Sequence, residues 1–252
     1  MKVTDYSRIA DRYDQNPYRR QIEPDEVLKW YFAQHSDREF RVLDLACGTG
    51  LYLQKQLHAF ASMSVEWYGL DASQAMLDQA ERRVPNVRLI QGLAEEMPYE
   101  PESFDVIVNH YAFHHFTEKS RVLDEVTRVL KKNGMFKMHN IAIHEMRQWW
   151  VYQYFPSAYF EDLKRFWPKD LIYRELSVRG FQVELDIRYR MTPKRLAECI
   201  QYARNRDISV LTLIDEKDYQ AGVERLETEF NRDPEASIVQ DFAEMHLIAL
   251  KK

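Results

Sequence analysis

Cysteine is almost absent: 252 residues hold two, Cys47 and Cys199. Two distant cysteines make no disulfide framework, and their spacing fits no metal site. A reducing, cytoplasmic setting is therefore expected. An excess of basic charge is also lacking. Thirty-five Lys and Arg face 40 Asp and Glu, for a formal charge of −5. Nucleic acid rewards a basic face that releases counterions, so no nucleic-acid partner is expected. No apolar run is long enough to span a bilayer, and Met1 to Asp14 is too polar for a signal peptide. Membrane insertion is not expected either. Internal repeats, low-complexity segments and Gly/Ser/Pro linkers are missing, so additions to the core read as a cap on one domain.

What is present is a chain that is 45% apolar, enough for a sizeable core. Residues 1–40 read as helical and amphipathic, with Ile9, Tyr13, Val27, Leu28, Trp30, Tyr31 and Phe32 near helical spacing. From Arg41 the pattern changes to short apolar strands alternating with helices. Strands are expected at Val42–Ala46, Val65–Leu70, Val87–Gln91, Phe104–Asn109 and Met135–Asn140. Helices are expected at Leu51–Phe60, Ser73–Arg83 and Glu118–Leu130, and a turn at Asn133-Gly134. This alternation implies a parallel sheet covered on both faces. Residues 141–175 interrupt it with Trp149, Trp150, Tyr152, Tyr154, Phe155, Tyr159, Phe160, Phe166 and Trp167. A helix near Lys169–Arg179, a strand at Phe181–Arg190, two helices and a last strand at Phe242–Leu250 follow.

The chemistry concentrates after the first strand. Val42-Leu43-Asp44-Leu45-Ala46 runs into Cys47-Gly48-Thr49-Gly50. Glycines there permit positive φ and close approach of backbone to a ligand. Open α/β sheets bind ligands at the carboxyl ends of their strands, with an acid about 20 residues on to hold a ribose diol; Asp71 occupies that place. Three details separate the kinds of nucleotide site. Leu53 stands where a dinucleotide fingerprint needs a small third residue. No Gly-Lys-Ser/Thr follows for a triphosphate. Asp44 would repel a pyrophosphate but suits a ligand carrying an ammonium group.

These residues, with four further motifs in order, resemble the class I S-adenosylmethionine (SAM)-dependent methyltransferases, especially the small-molecule group related to quinone biosynthesis. The first motif is Asp44-Leu45-Ala46-Cys47-Gly48-Thr49-Gly50, with Ala46 where many members have glycine. Gly69-Leu70-Asp71-Ala72-Ser73 with Met76 matches the second. Gln91-Gly92-Leu93-Ala94-Glu95-Glu96-Met97-Pro98 matches the third, and Phe104-Asp105-Val106-Ile107-Val108-Asn109 the fourth. Arg128 to Gly134 matches the turn before the fifth strand. The resemblance implies a Rossmann-like α/β fold. Its seven-stranded sheet is mostly parallel, the last strand is inserted antiparallel, helices cover both faces, and an aromatic-rich helical cap is added. In that frame 1–40 closes over the cofactor, 41–140 is the SAM-binding core, 141–175 is the cap, and 176–252 completes the sheet with a helical insertion.

The resemblance also implies roles. Asp44, Ala46, Cys47, Gly48, Thr49 and Gly50 would hold the methionine part of SAM. Asp71 would accept the ribose hydroxyls, and Ala72 and Met76 would flank the adenine. Leu93 and Ala94 would meet the adenine edge. Many members have Asp at the Leu93 position, so a backbone contact or Glu95 would take its place. Asn109 and His110 would lie beside the sulfonium, and Tyr13 would close over the cofactor. Among His110, His114 and His115, His114 is the candidate general base. No metal is expected there, since carboxylate and thiolate ligands are missing. Tyr111, Trp149, Trp150 and Tyr154 are candidate contacts to a small organic acceptor. The reading is methyl transfer from SAM to that acceptor. Its rivals are a non-catalytic SAM-binding sensor or subunit, and an RNA or protein methyltransferase.

Overall fold

The computed structural model describes residues 14, 22–35 and 39–252. Seven strands form one sheet in the order β3-β2-β1-β4-β5-β7-β6. They are β1 (Phe40–Leu45), β2 (Val65–Asp71), β3 (Arg88–Gln91), β4 (Phe104–His110), β5 (Leu130–Ile141), β6 (Phe181–Arg195) and β7 (Ser237–Lys251). β1 pairs in parallel with β2 and β4, and β2 with β3. The sheet is mostly parallel with antiparallel last strands, and β7 lies between β5 and β6. This is the seven-stranded, Rossmann-like arrangement expected.

The centre of the sheet is dry on both faces. Val42, Leu43 and Leu45 of β1, and Val106, Ile107 and Val108 of β4, are all buried in succession. A strand buried without alternation has helices on each side. The edge strand β6 instead alternates between half-buried and exposed positions along most of its length. Its edge position also accommodates Pro193, which has no N–H to give a central ladder.

Helices α1 (Glu26–Gln34), α2 (Leu51–Ala59), α3 (Gln74–Arg83) and α4 (Lys119–Val129) alternate with the first strands. Asp25 caps α1 by accepting from the N–H groups of Val27 and Leu28 at 3.1 and 3.2 Å. Ser73 caps α3 through Met76. Each cap satisfies donors that the first helical turn leaves open. Of the 1–40 segment, only α1 falls among described helical residues; the rest of the expected helix, Tyr13 included, lies outside them.

Two expectations change. The Asn133-Gly134 turn does not interrupt β5, which runs from Leu130 to Ile141. Asn133 adopts φ +63° inside the strand, and its carbonyl accepts from the Tyr31 hydroxyl at 3.1 Å. The left-handed residue is therefore accommodated within the strand. The last strand also starts five residues earlier than expected, at Ser237.

Contacts divide the chain into two compact units. One comprises the described residues of 5–138 with 174–184 and 247–252; the other comprises 139–173 with 185–246. The second unit carries α5 (Trp150–Tyr154), α6 (Pro156–Arg165), α8 (Leu196–Arg204) and α9 (Glu216–Arg232), while α7 (Lys169–Val178) spans a boundary. Inside the second unit the aromatic segment packs on itself and on α9. Phe155 is wholly buried and stacks on Tyr219, with centroids 6.0 Å apart.

Candidate functional site

The loop from β1 into α2 makes three left-handed turns in five residues. Ala46, Gly48 and Gly50 have φ of +62°, +54° and +76°. Glycine bears this conformation without penalty; Ala46 does not. Gly50 stands at the N-cap of α2 with no side-chain cap, and the loop is closed on itself by the Gly50 N–H donating to the Cys47 carbonyl at 3.0 Å.

Asp71, at the end of β2, is tied to this loop. Its Oδ2 accepts the Gly48 N–H at 2.8 Å, and its Oδ1 accepts the Ser73 N–H at 2.9 Å. Two carboxylate oxygens offer about four acceptor sites, so capacity remains for a further donor. Burial raises the carboxyl's pKa, against the lowering by the Ser73, Gly48 and Ala72 N–H groups. Asp44 is only 2% exposed. Burial first, and the Asp71 charge second, raise its pKa to about 8. Burial favours the protonated form of such an acid, and a cationic ligand group would release that proton.

Cys47 is buried, and burial followed by the charges of Asp44 and Asp71 pushes its thiol well above the usual range. It is a packing residue under these conditions rather than a thiolate. Asn109 closes the floor of the loop. Its Nδ2 donates to the Leu45 carbonyl at 2.8 Å, while its buried Oδ1 has no partner among the described residues. The next residues include Tyr111, which adopts φ +52° and is 39% exposed. Strained backbone of this kind concentrates at functional sites.

The remaining expected residues fall around this centre. Ala72 is exposed, Met76 is buried on α3, Leu93 is exposed and Ala94 is buried. Glu95 uses Oε1 to accept from Thr117 and from the Glu118 N–H, which anchors the start of α4. The His110 ring lies against Tyr52, with centroids 4.2 Å apart. His114 is buried, its ring 3.9 Å from that of His115. In the other unit, Trp149, Trp150 and Tyr154 are each under 8% exposed. Trp149 meets Tyr152 and Phe242 edge-on, and the Tyr154 hydroxyl donates to Glu229 at 2.6 Å.

Sequence reasoning missed two groups that shape the loop. Thr49 Oγ1 donates to Asp14 at 2.7 Å, and the Arg83 guanidinium bridges Asp14 and the Thr49 carbonyl. Beneath α2, Asp25 accepts the Tyr52 hydroxyl at 2.6 Å and pairs with Lys137. Burial alone would raise the Asp25 carboxyl, but Lys137, Tyr52 and His110 carry it below its usual value. Polar residues facing an apolar helix were the available signal; their partners lie too far along the chain to be read.

Residues 42–134 match the family model described as a methyltransferase domain. Over 103 residues the chain is 41% identical to the uncharacterized methyltransferase YcgJ of Bacillus subtilis, covering 39% of each chain. Over 98 residues it is 41% identical to the demethylmenaquinone methyltransferase of Thermotoga maritima, covering 37% of this chain and 40% of that one. The matched part spans about two fifths of these relatives. A solved structure of a putative methyltransferase from an antibiotic biosynthesis pathway of Anabaena variabilis superposes with a TM-score of 0.68 at 20% identity. It covers 90% of this chain and 98% of its own; this likeness speaks to the fold alone.

The cofactor of this domain family is SAM. The residues present fit it: a glycine-bearing loop with left-handed backbone, a buried acid suited to an amine, an oriented carboxylate suited to a diol, and an Asn109 oxygen without a partner among the described residues. Among the described residues, no helix is long and apolar enough to cross a membrane.

Proposed function

We propose that this protein transfers the methyl group of SAM to a small organic acceptor through N, O, C or S. The observation that carries the reading is the Gly48–Asp71 hydrogen bond, which fixes a carboxylate and a glycine loop as one rigid cradle. Bound there, SAM supplies a methyl group on a positively charged sulfur, which the acceptor atom displaces.

Each residue then has a defined task. Asp44 meets the amino group and loses its proton on doing so. Ala46, Cys47, Gly48, Thr49 and Gly50 surround the methionine part. Asp71 binds the ribose hydroxyls with its remaining acceptor capacity, Ala72 and Met76 flank the adenine, and Leu93 and Ala94 meet its edge. Glu95, engaged with Thr117 and Glu118, supports this edge by holding the start of α4. Asn109 and His110 border the reacting sulfur, with Tyr13 as the closing residue. Alignment of acceptor and methyl contributes roughly 7–11 kcal/mol to lowering the barrier. A general base, for which His114 is the candidate, adds about 10²–10⁴-fold where the acceptor is protonated.

Tyr111, Trp149, Trp150 and Tyr154 are the residues proposed to meet the acceptor. Tyr111 is by far the most exposed of the four and is the first to test. The reading includes a cytoplasmic location, supported by two free, buried thiols, and excludes nucleic acid on the net charge of −5. The test is methyl transfer from labelled SAM to a panel of quinols, phenols, amines and thiols. Label transfer to one class, lost in Asp71→Ala, supports the reading. Tight SAM binding without transfer to any acceptor would favour a sensor or subunit.

A further inference from the structure

His139 of β5 and Glu244 and His246 of β7 bring two imidazoles and a carboxylate together on neighbouring strands. Glu244 and His246 are two residues apart, so they share one face of β7. Their potential ligand atoms, with that of His139, all lie within 4.8 Å of one another. His139 Nε2 and Glu244 Oε1 are 3.5 Å apart, and the two imidazole centroids are 4.0 Å apart at 28°. All three residues are partly exposed, so the cluster is open to solvent.

The carboxylate is held from behind. Glu244 Oε2 accepts from Arg190 at 2.9 Å, leaving Oε1 directed at His139. Arg190 is itself seated over the Phe242 ring, 5.1 Å from its centroid. Phe242, Glu244 and His246 thus form one row along β7, and the guanidinium spans the first two. Ligating carboxylates are typically fixed by such an outer hydrogen bond.

We propose that His139, Glu244 and His246 form a binding site for a divalent transition-metal ion of the zinc class. Metal–nitrogen and metal–oxygen distances of about 2.0–2.2 Å require ligand atoms roughly 3–4 Å apart. The ligand atoms, all within 4.8 Å of one another, lie near that separation, and the stacked imidazoles must turn to aim their nitrogens at one ion. Two nitrogens and one oxygen suit zinc, cobalt, nickel or iron(II) and not calcium or magnesium, which prefer oxygen. Three protein ligands leave a position for water or an exogenous group. The site is distinct from the His110–His115 stretch and does not depend on the methyltransferase reading.

The test is calorimetric titration of the full-length, metal-stripped protein with Zn²⁺ at neutral pH, beside the visible spectrum of the Co²⁺-loaded form. One ion per chain, with micromolar or tighter affinity and a Co²⁺ ligand-field band, is expected. His246→Gln and Glu244→Gln should each weaken binding by tenfold or more, and His139→Ala/His246→Gln together should abolish the band. Melting curves without metal identify variants that remain folded. Absence of binding by the wild type, or unchanged affinity in a folded double variant, would overturn the proposal.

Discussion

The Gly48 N–H donates to Asp71 Oδ2 at 2.8 Å across 23 residues of sequence. Two adjacent parallel strands, β1 and β2, are thereby tied together at their carboxyl ends. Replacing Asp71 by alanine removes this tie and the acceptor offered to a ribose. Hydrogen bonds to charged groups are worth about 1.5–3 kcal/mol each. Asp71→Ala should weaken binding of S-adenosylhomocysteine by about 10- to 100-fold, measured by calorimetry. Unchanged affinity in a folded variant would remove Asp71 from the cofactor site.

Asp44 gives the site a pH signature. Its carboxyl is raised from 3.8 to about 8, by burial and then by Asp71. Between those values the ligand-free native state holds a proton that the unfolded chain lacks. The corresponding stability is complete below about pH 4 and is lost as pH rises through about 8. Asp44→Asn, which carries no charge at any pH, should gain in melting temperature relative to wild type as pH rises across that window. It should also bind the cofactor more weakly. In the wild type, binding an amine-bearing ligand at neutral pH should release up to one proton. Calorimetry in buffers of different ionisation enthalpy reads this directly. Identical heats in all buffers would show that Asp44 does not meet the amine.

The glycine loop was legible because its demand is local: left-handed backbone at Gly48 and Gly50 is written in the residues themselves. The central strands were legible because burial on both faces leaves unbroken apolar runs, as at Val106-Ile107-Val108. The Asp25–Lys137 pair was not, because 112 residues separate the partners and neither declares its burial. Asp14, Thr49 and Arg83 meet for the same reason only in the fold. The Asn133-Gly134 turn misled because pairing along β5 outweighs the local preference of two residues. His139 was invisible as a companion of Glu244 and His246, since strand order and not spacing unites them.

The aromatic residues proposed at the acceptor separate by exposure. Trp150 is 2% exposed, and its ring packs edge-on to Phe155. Trp150→Ala should cost roughly 3–5 kcal/mol of stability, as loss of a buried large aromatic does. Tyr111 is exposed and strained. Tyr111→Gly should relieve about 1 kcal/mol of left-handed strain, so its melting temperature should match or exceed that of wild type. If Tyr111 meets the acceptor, KM for the acceptor should rise while cofactor affinity stays fixed. A Tyr111→Gly enzyme with unaltered acceptor kinetics would take Tyr111 out of the acceptor site.

The packing of the second unit turns on Gly222, in the middle of α9. Glycine inside a helix costs about 1 kcal/mol relative to alanine, so propensity alone favours Gly222→Ala. The structure opposes it. A Cβ at this position would run into the Phe155 ring at Cδ1, Cε1 and Cγ. Phe155 has no exposed surface and lies stacked on Tyr219, so the ring has little room to withdraw. Overpacking of this kind costs about 1–3 kcal/mol, which matches or exceeds the propensity gain. Gly222→Ala should therefore lower the melting temperature, by as much as several degrees in a chain of this size. The clash also predicts coupling. Phe155→Leu leaves a void when made alone, and in the Gly222→Ala background the new methyl fills part of it. The double variant should be more stable than the sum of the two single losses implies, by a coupling energy of about 0.5–3 kcal/mol. Strictly additive losses, or a Gly222→Ala protein that melts higher than wild type, would mean that Phe155 shifts freely and that the helix tolerates a side chain at this contact.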